Sequence, residues 1–156
     1  MSKKFNMQKR KQYSSDMQLV NRCTIKVRFN EVDSLKIVWH GEYVKYMEDG
    51  RESFGLDYPG LGYLDIYNSG FTAPVVDIHI SYKYPLIYGD TAIIETKYIY
   101  TPAAKIIFEF RIYRESDNLL VAEGSSIQVF LDTQGELMLV NPDFYLNWQK
   151  KWLEKE

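Results

Sequence analysis

Asp33 and His40 stand seven residues apart, and the chain changes character between them. Asp33 closes an alternating segment, and His40-Gly41 opens a segment with helical spacing. A helix start leaves several backbone N–H groups without intrahelical partners. Together with the helix dipole, those donors favour an oxygen that is gaining negative charge. A carboxylate beside them can act as base or nucleophile towards a carbon whose oxygen they hold. On the residues alone, a single aspartate in this place reads more readily as a strand-end turn residue or a helix-entry cap. His40, a lone histidine at a helix start, reads as structural. His79, on the polar face of a strand, reads as a surface or interface residue. Glu48 and Glu52 read as the solvated face of the helix, within reach of a neighbouring subunit.

Elements on both sides must position Asp33. Before it, Thr24 to Asn30 alternates, with Ile25, Val27 and Phe29 on one face, which predicts a half-buried strand. After it, Tyr43, Met47, Gly50 and Phe54 recur at helical spacing, which predicts a helix over 41–54. Gly50 costs such a helix about 1 kcal/mol, so it implies close approach to another element. Gly55 is the expected stop. Residues 55–70 hold four glycines and one proline and read as a loop with room for one helical turn.

Strand follows strand after that. Val76, Ile78, Ile80, Tyr82 and Tyr84 alternate with polar residues, as do Ile94, Thr96, Tyr98 and Tyr100, then Ile106, Phe108, Phe110 and Ile112. Ile127, Val129 and Leu131 form the last run. Turn signals fall at Pro85, Gly89-Asp90, Thr101-Pro102, Asp117-Asn118 and Gln134-Gly135. Short connections favour antiparallel neighbours, and strands of about 10–14 residues are expected. Asn141-Pro142 caps a final helix that carries Tyr145, Trp148 and Trp152 on one face. One helix facing one long sheet is an α+β two-layer design, and twist curves such a sheet around the helix.

Composition narrows the function class. At 156 residues the chain suits one domain able to bury a core without staples. The expected division is a flexible basic arm over 1–20 and a single domain over 21–156. The arm carries five basic residues before Asp16, lacks the apolar core of a secretory signal, and reads as solvated. A net charge of −2 gives no global attraction to nucleic acid. A single cysteine, Cys23, excludes an intrachain disulfide and paired-cysteine zinc sites. No metal or other cofactor is expected. No run reaches the length of a membrane span, and the cytoplasm is the expected compartment. Aromatic residues reach 15%, but most fall in the alternating runs and read as strand packing.

Three segments carry a family resemblance. Val32-Asp33-Ser34-Leu35-Lys36-Ile37-Val38-Trp39-His40-Gly41-Glu42-Tyr43 resembles the start of the 4-hydroxybenzoyl-CoA thioesterase family of hotdog-fold enzymes. Tyr82-Lys83-Tyr84-Pro85-Leu86-Ile87-Tyr88-Gly89-Asp90 resembles its strand–proline–turn signature, and Val121-Ala122-Glu123-Gly124 one of its strands. The order matches from about residue 24 to residue 132. Two departures stand out. Lys36 occupies a position where the family usually has glycine, and Glu42 one where it usually has asparagine.

The resemblance implies a hotdog fold, a long curved antiparallel sheet wrapped around a central helix. It implies hydrolysis of an acyl-CoA thioester to free acid and CoA. Asp33 would be nucleophile or general base, and the backbone N–H of His40 would polarise the carbonyl. Trp39, Gly41 and Tyr43 would line the acyl site, although core packing explains Trp39 and Tyr43 equally well. Lys36, Lys83, Lys105, Arg111 and Arg114 are available to the CoA phosphates, and spacing selects none of them. The family assembles edge to edge, which implies a homodimer or homotetramer. Two other readings stay open: a thioesterase acting on acyl carrier protein, towards which the basic arm hints, and a non-catalytic acyl-CoA-binding domain.

Overall fold

The computed structural model describes residues 18–154. Most of the expected basic arm lies outside the described residues. Leu19 is buried, and its carbonyl accepts the N–H of Tyr98, so the sheet takes up chain just ahead of the expected boundary at residue 21.

Strand β1 spans Val20–Lys26, and a single 3₁₀ turn follows at Phe29–Glu31. Helix α1 spans Glu42–Asp57 and α2 spans Tyr63–Asn68. Strands β2 (Val75–Tyr82), β3 (Thr91–Ile99), β4 (Lys105–Arg114) and β5 (Leu119–Val129) come next, then helix α3, Asp143–Leu153. The strands form one sheet in the order β1-β3-β4-β5-β2. All four pairings are antiparallel, so the α+β expectation is met. The strands run 7 to 11 residues, somewhat shorter than expected. No helix among the described residues is long and apolar enough to cross a membrane.

Alternation decides what faces the helix. Ala92, Ile94, Thr96 and Tyr98 of β3 are buried, as are Ile106, Phe108, Phe110 and Ile112 of β4. Helix α1 presents Tyr43, Tyr46, Met47, Gly50 and Phe54 to them. A Cβ on Gly50 would come within 2.5 Å of Thr96 Oγ1 and 2.6 Å of an Ile94 methyl. The glycine therefore lets the helix lie directly on β3, as its helical cost implied. Phe54, Tyr98, Phe108 and Trp148 form one aromatic cluster, with Phe54 and Phe108 centroids 4.9 Å apart. Helix α3 contributes Tyr145 and Trp148 to it.

Three expectations shift. The first strand lies over residues 20–26 rather than 24–30. Val27 leaves the ladder by donating its N–H to the carbonyl of Asp90, and the Glu31 carboxylate accepts the Arg28 N–H at 2.7 Å. That fastening turns Phe29 outward, 80% exposed. Helix α1 runs past Gly55 to Asp57, so Gly55 is not its stop; its bare face lies beside the backbone of Gly62. In β5 the buried phase is Ser126, Gln128 and then Phe130, while Ile127 and Val129 stand half-buried on the other face. Gln128 faces inward because both ends of its amide find partners. It accepts from Arg51 Nε at 3.3 Å and donates to the Ala73 carbonyl at 2.7 Å.

Candidate active site

The segment from Glu31 to Glu42 is a tight arch built mostly from backbone hydrogen bonds. Val32 bridges Val38, and Ile37 bridges Ile87. Trp39 donates its N–H to the Glu31 carbonyl at 2.9 Å, and Val38 donates to the Leu86 carbonyl at 2.8 Å. Asp33 sits in the turn of this arch. Its N–H donates to the Ile37 carbonyl, its own carbonyl accepts the Lys36 N–H, and its Oδ1 accepts the Leu35 N–H at 2.8 Å. This is the local side-chain-to-backbone bond by which aspartate shapes turns. It uses one carboxylate oxygen. The second, Oδ2, takes part in no hydrogen bond or ion pair among the described residues, and the residue is only half-buried.

Lys36 holds the other side of the turn with φ = 64°. A side chain in that left-handed region costs about 1–2 kcal/mol, and glycine adopts it freely. The glycine usual in the family thus has a backbone reason here. Lys36 keeps the turn geometry at the cost of strain.

The arch delivers the chain to α1 through Trp39, His40 and Gly41. Glu42 donates its N–H back to the Trp39 carbonyl at 2.9 Å, whereas the N–H groups of His40 and Gly41 enter no backbone hydrogen bond among the described residues. The imidazole of His40 is exposed and lies 5.0 Å from the Trp39 ring. Trp39, 48% exposed, lies over Gly41: a Cβ on Gly41 would come within 2.2 Å of the indole. Tyr43 is buried, and its hydroxyl accepts the Leu86 N–H at 3.3 Å. Its ring packs edge-on against Tyr82 at 5.1 Å. So Trp39 and Gly41 border the helix entrance, while Tyr43 packs behind it. No hydrogen bond joins Asp33 to His40 among the described residues; the arch is what relates them.

Several contributors carried no signal of their role in the sequence. Tyr82, at the end of β2, donates its hydroxyl to the His40 carbonyl at 2.7 Å and so fixes the helix entrance. The buried Glu31 carboxylate accepts the Tyr46 hydroxyl at 3.2 Å, and burial with Glu31 alongside pushes the Tyr46 hydroxyl far above its ordinary pKa. Glu42 is buried in the first turn and pairs with Lys45 at 3.1 Å. Arg51 is buried under the aromatic cluster. It donates to the Leu61 carbonyl at 2.6 Å and lies 4.7 Å from the Phe108 centroid, and burial lowers its pKa. The one available clue to Arg51 was helical phase: it sits one residue after Gly50, on the flank of the apolar face.

The other two resembling segments also have physical reasons. In Tyr88-Gly89-Asp90, Gly89 has φ = 88°, and Asp90 Oδ2 accepts the Ile87 N–H at 2.9 Å, which closes a turn that also receives the end of β1. In Val121-Ala122-Glu123-Gly124, a Cβ on Gly124 would lie 2.3 Å from the His79 carbonyl oxygen, so only glycine fits between β5 and β2.

The thioesterase-like superfamily matches residues 27–151. The chain belongs to that superfamily. This membership places it among thioester hydrolases. The "putative acyl-CoA thioesterase YneP" of Bacillus subtilis (strain 168) is 38% identical over 107 residues, covering 69% of this chain and 77% of YneP. The chloroplastic acyl-acyl carrier protein thioesterase ATL3 of Arabidopsis thaliana is 27% identical over 110 residues, covering 70% of this chain and 57% of ATL3. The DHNA-CoA thioesterase of Staphylococcus aureus superposes with a TM-score of 0.74 at 20% identity, covering 85% of this chain and 89% of that one. That likeness establishes the hotdog fold.

Proposed function

We propose that this chain hydrolyses acyl-CoA thioesters, with Asp33 as nucleophile or general base and the backbone N–H of His40 as the donor to the carbonyl oxygen. The observation that carries the reading is the arch. It fixes the Asp33 backbone and one carboxylate oxygen, leaves the other oxygen available, and ends at a helix start with unused N–H groups. As nucleophile, an Asp33 oxygen bonds the acyl carbon while the C–S bond breaks. The thiolate leaves and takes a proton from water. A second water then opens the mixed anhydride, releasing the acid and restoring the carboxylate. As general base, Asp33 instead takes the proton of a water that attacks directly. Either route puts negative charge on the carbonyl oxygen, where one positioned donor is worth about 2.7–4 kcal/mol of barrier. The similarity to YneP supports CoA as the carrier.

The test is a panel of short, long, branched and aromatic acyl-CoAs, followed by release of free thiol, with Asp33→Asn run beside the wild type. The variant should lose at least about 100-fold in rate. Equal rates would remove Asp33 from the mechanism. Acyl carrier protein is the second carrier to assay, on the strength of the similarity to ATL3.

The reading includes assembly of two or more copies. Among the described residues strand β2 pairs only with β5, and Val75, Val76 and Ile78 are exposed along it. An apolar open edge is a template for pairing. A monomer that sediments alone and retains full activity would rule out this part.

A further inference from the structure

A second feature lies beside the arch. The end of β1, the 3₁₀ turn, one side of α1 and the Tyr88 turn enclose an open groove of about 680 Å³. Lys26, Arg28, Phe29, Asp49 and Tyr88 line it. Phe29 is 80% exposed and Tyr88 60%, and their rings meet edge to face at 5.8 Å. An exposed aromatic pair fixed on two tight turns is a poor use of apolar surface for folding alone. Among the described residues neither Lys26 nor Arg28 forms an ion pair, although Asp49 is near enough to Arg28 to feel its charge. The groove therefore offers two exposed ring faces set at right angles, two cations without an ion pair among the described residues, and one carboxylate acceptor.

That combination fits a nucleoside phosphate. Bases stack on aromatic side chains, phosphates are held by Lys and Arg, and a carboxylate accepts from a ribose hydroxyl or an exocyclic amine. Both walls of the groove run directly into the arch. Phe29 lies four residues before Asp33. Tyr88 follows Ile87, which bridges Ile37, whose carbonyl holds the Asp33 N–H.

We infer that this groove is the subsite for the adenosine phosphate end of the CoA carrier, the base lying in the corner of Phe29 and Tyr88, stacked on one ring and edged by the other, with Lys26 and Arg28 on the phosphates. The inference rests on the acyl-CoA reading above. It makes Lys26 and Arg28 the residues by which the chain distinguishes CoA from a carrier that lacks the nucleotide.

The experiment compares one acyl group on CoA and on pantetheine, which has the same thioester arm without the nucleotide. It uses the full chain, Phe29→Ala, and the double variant Lys26→Gln with Arg28→Gln. The readout is the ratio of kcat/KM for the CoA substrate to that for the pantetheine substrate. It should fall about tenfold or more in each variant, through KM. Adenosine 3′,5′-bisphosphate should compete with the CoA substrate on the wild type and lose that ability in both variants. An unchanged ratio, or wild type that hydrolyses the pantetheine thioester and ignores the bisphosphate, overturns the subsite while leaving the hydrolase reading in place. If the wild type cleaves neither thioester, the hydrolase reading fails, and calorimetric titration with the bisphosphate decides the groove. Binding lost in the double variant supports it, and absence of binding rejects it.

Discussion

The two ends of α1 are built on opposite principles. The entrance is a backbone arch with half-exposed and exposed residues, Asp33, Trp39 and His40, held by N–H to carbonyl bonds and by the Tyr82 hydroxyl. The far half, from Gly50 to Asp57, lies against β3 and the Phe54–Tyr98–Phe108–Trp148 cluster, with the buried Arg51 guanidinium beneath. Hydrophobic burial and ring packing dominate there. One end is held by burial and ring packing, and the other by backbone hydrogen bonds around half-exposed polar groups.

Substitutions at the two ends should separate these roles. The largest effect is expected from Phe54→Ala. Emptying that fully buried site should cost about 3–5 kcal/mol in urea unfolding, with kcat per folded molecule near wild type. A kcat loss as deep as that of the Asp33 variant would break the division. Next comes Asp33→Asn, expected to lose about 100-fold or more in thioester hydrolysis. Asparagine can keep the bond from the Leu35 N–H, so its unfolding free energy should stay within about 0.5 kcal/mol of wild type. A large drop in unfolding free energy would make Asp33 a structural residue first. Tyr82→Phe removes only the bond to the His40 carbonyl. It should cost about 0.5–1.5 kcal/mol and lower kcat more than it raises KM. The smallest effect has the opposite sign. Lys36→Gly relieves the φ = 64° strain but adds chain entropy to the unfolded state, for a net gain of about 0.5–1 kcal/mol. An unchanged urea midpoint would mean that the turn tolerates lysine without strain.

Much of the far half was legible in the sequence. The period-two runs through Ile94–Tyr98 and Ile106–Ile112 mark their buried faces directly, and Gly50 announced close contact by being costly where it stands. The errors come where a polar residue is buried or an apolar one exposed. Val27 and Phe29 share a phase, yet one is buried and the other points outward, because a carboxylate three residues on caps a turn between them. Gln128 faces the core because Arg51 and the Ala73 carbonyl satisfy it, and no local pattern encodes a partner 77 residues away. At the entrance, the order of Asp33, turn and helix start was readable from the change of period. The contribution of Tyr82 was not, since it depends on an edge strand folding back across 42 residues.

Trp39 gives this entrance an optical consequence. Of the three tryptophans, Trp148 is buried and Trp152 partly so, each with its indole N–H bound to a carbonyl. Trp39 alone lies half-open over Gly41, the residue just ahead of α1. The red-shifted, quencher-accessible part of the emission therefore belongs to the place where a substrate carbonyl would arrive. A change confined to that component reports occupancy of the entrance without any attached dye, while the blue component records whether the core beneath has held.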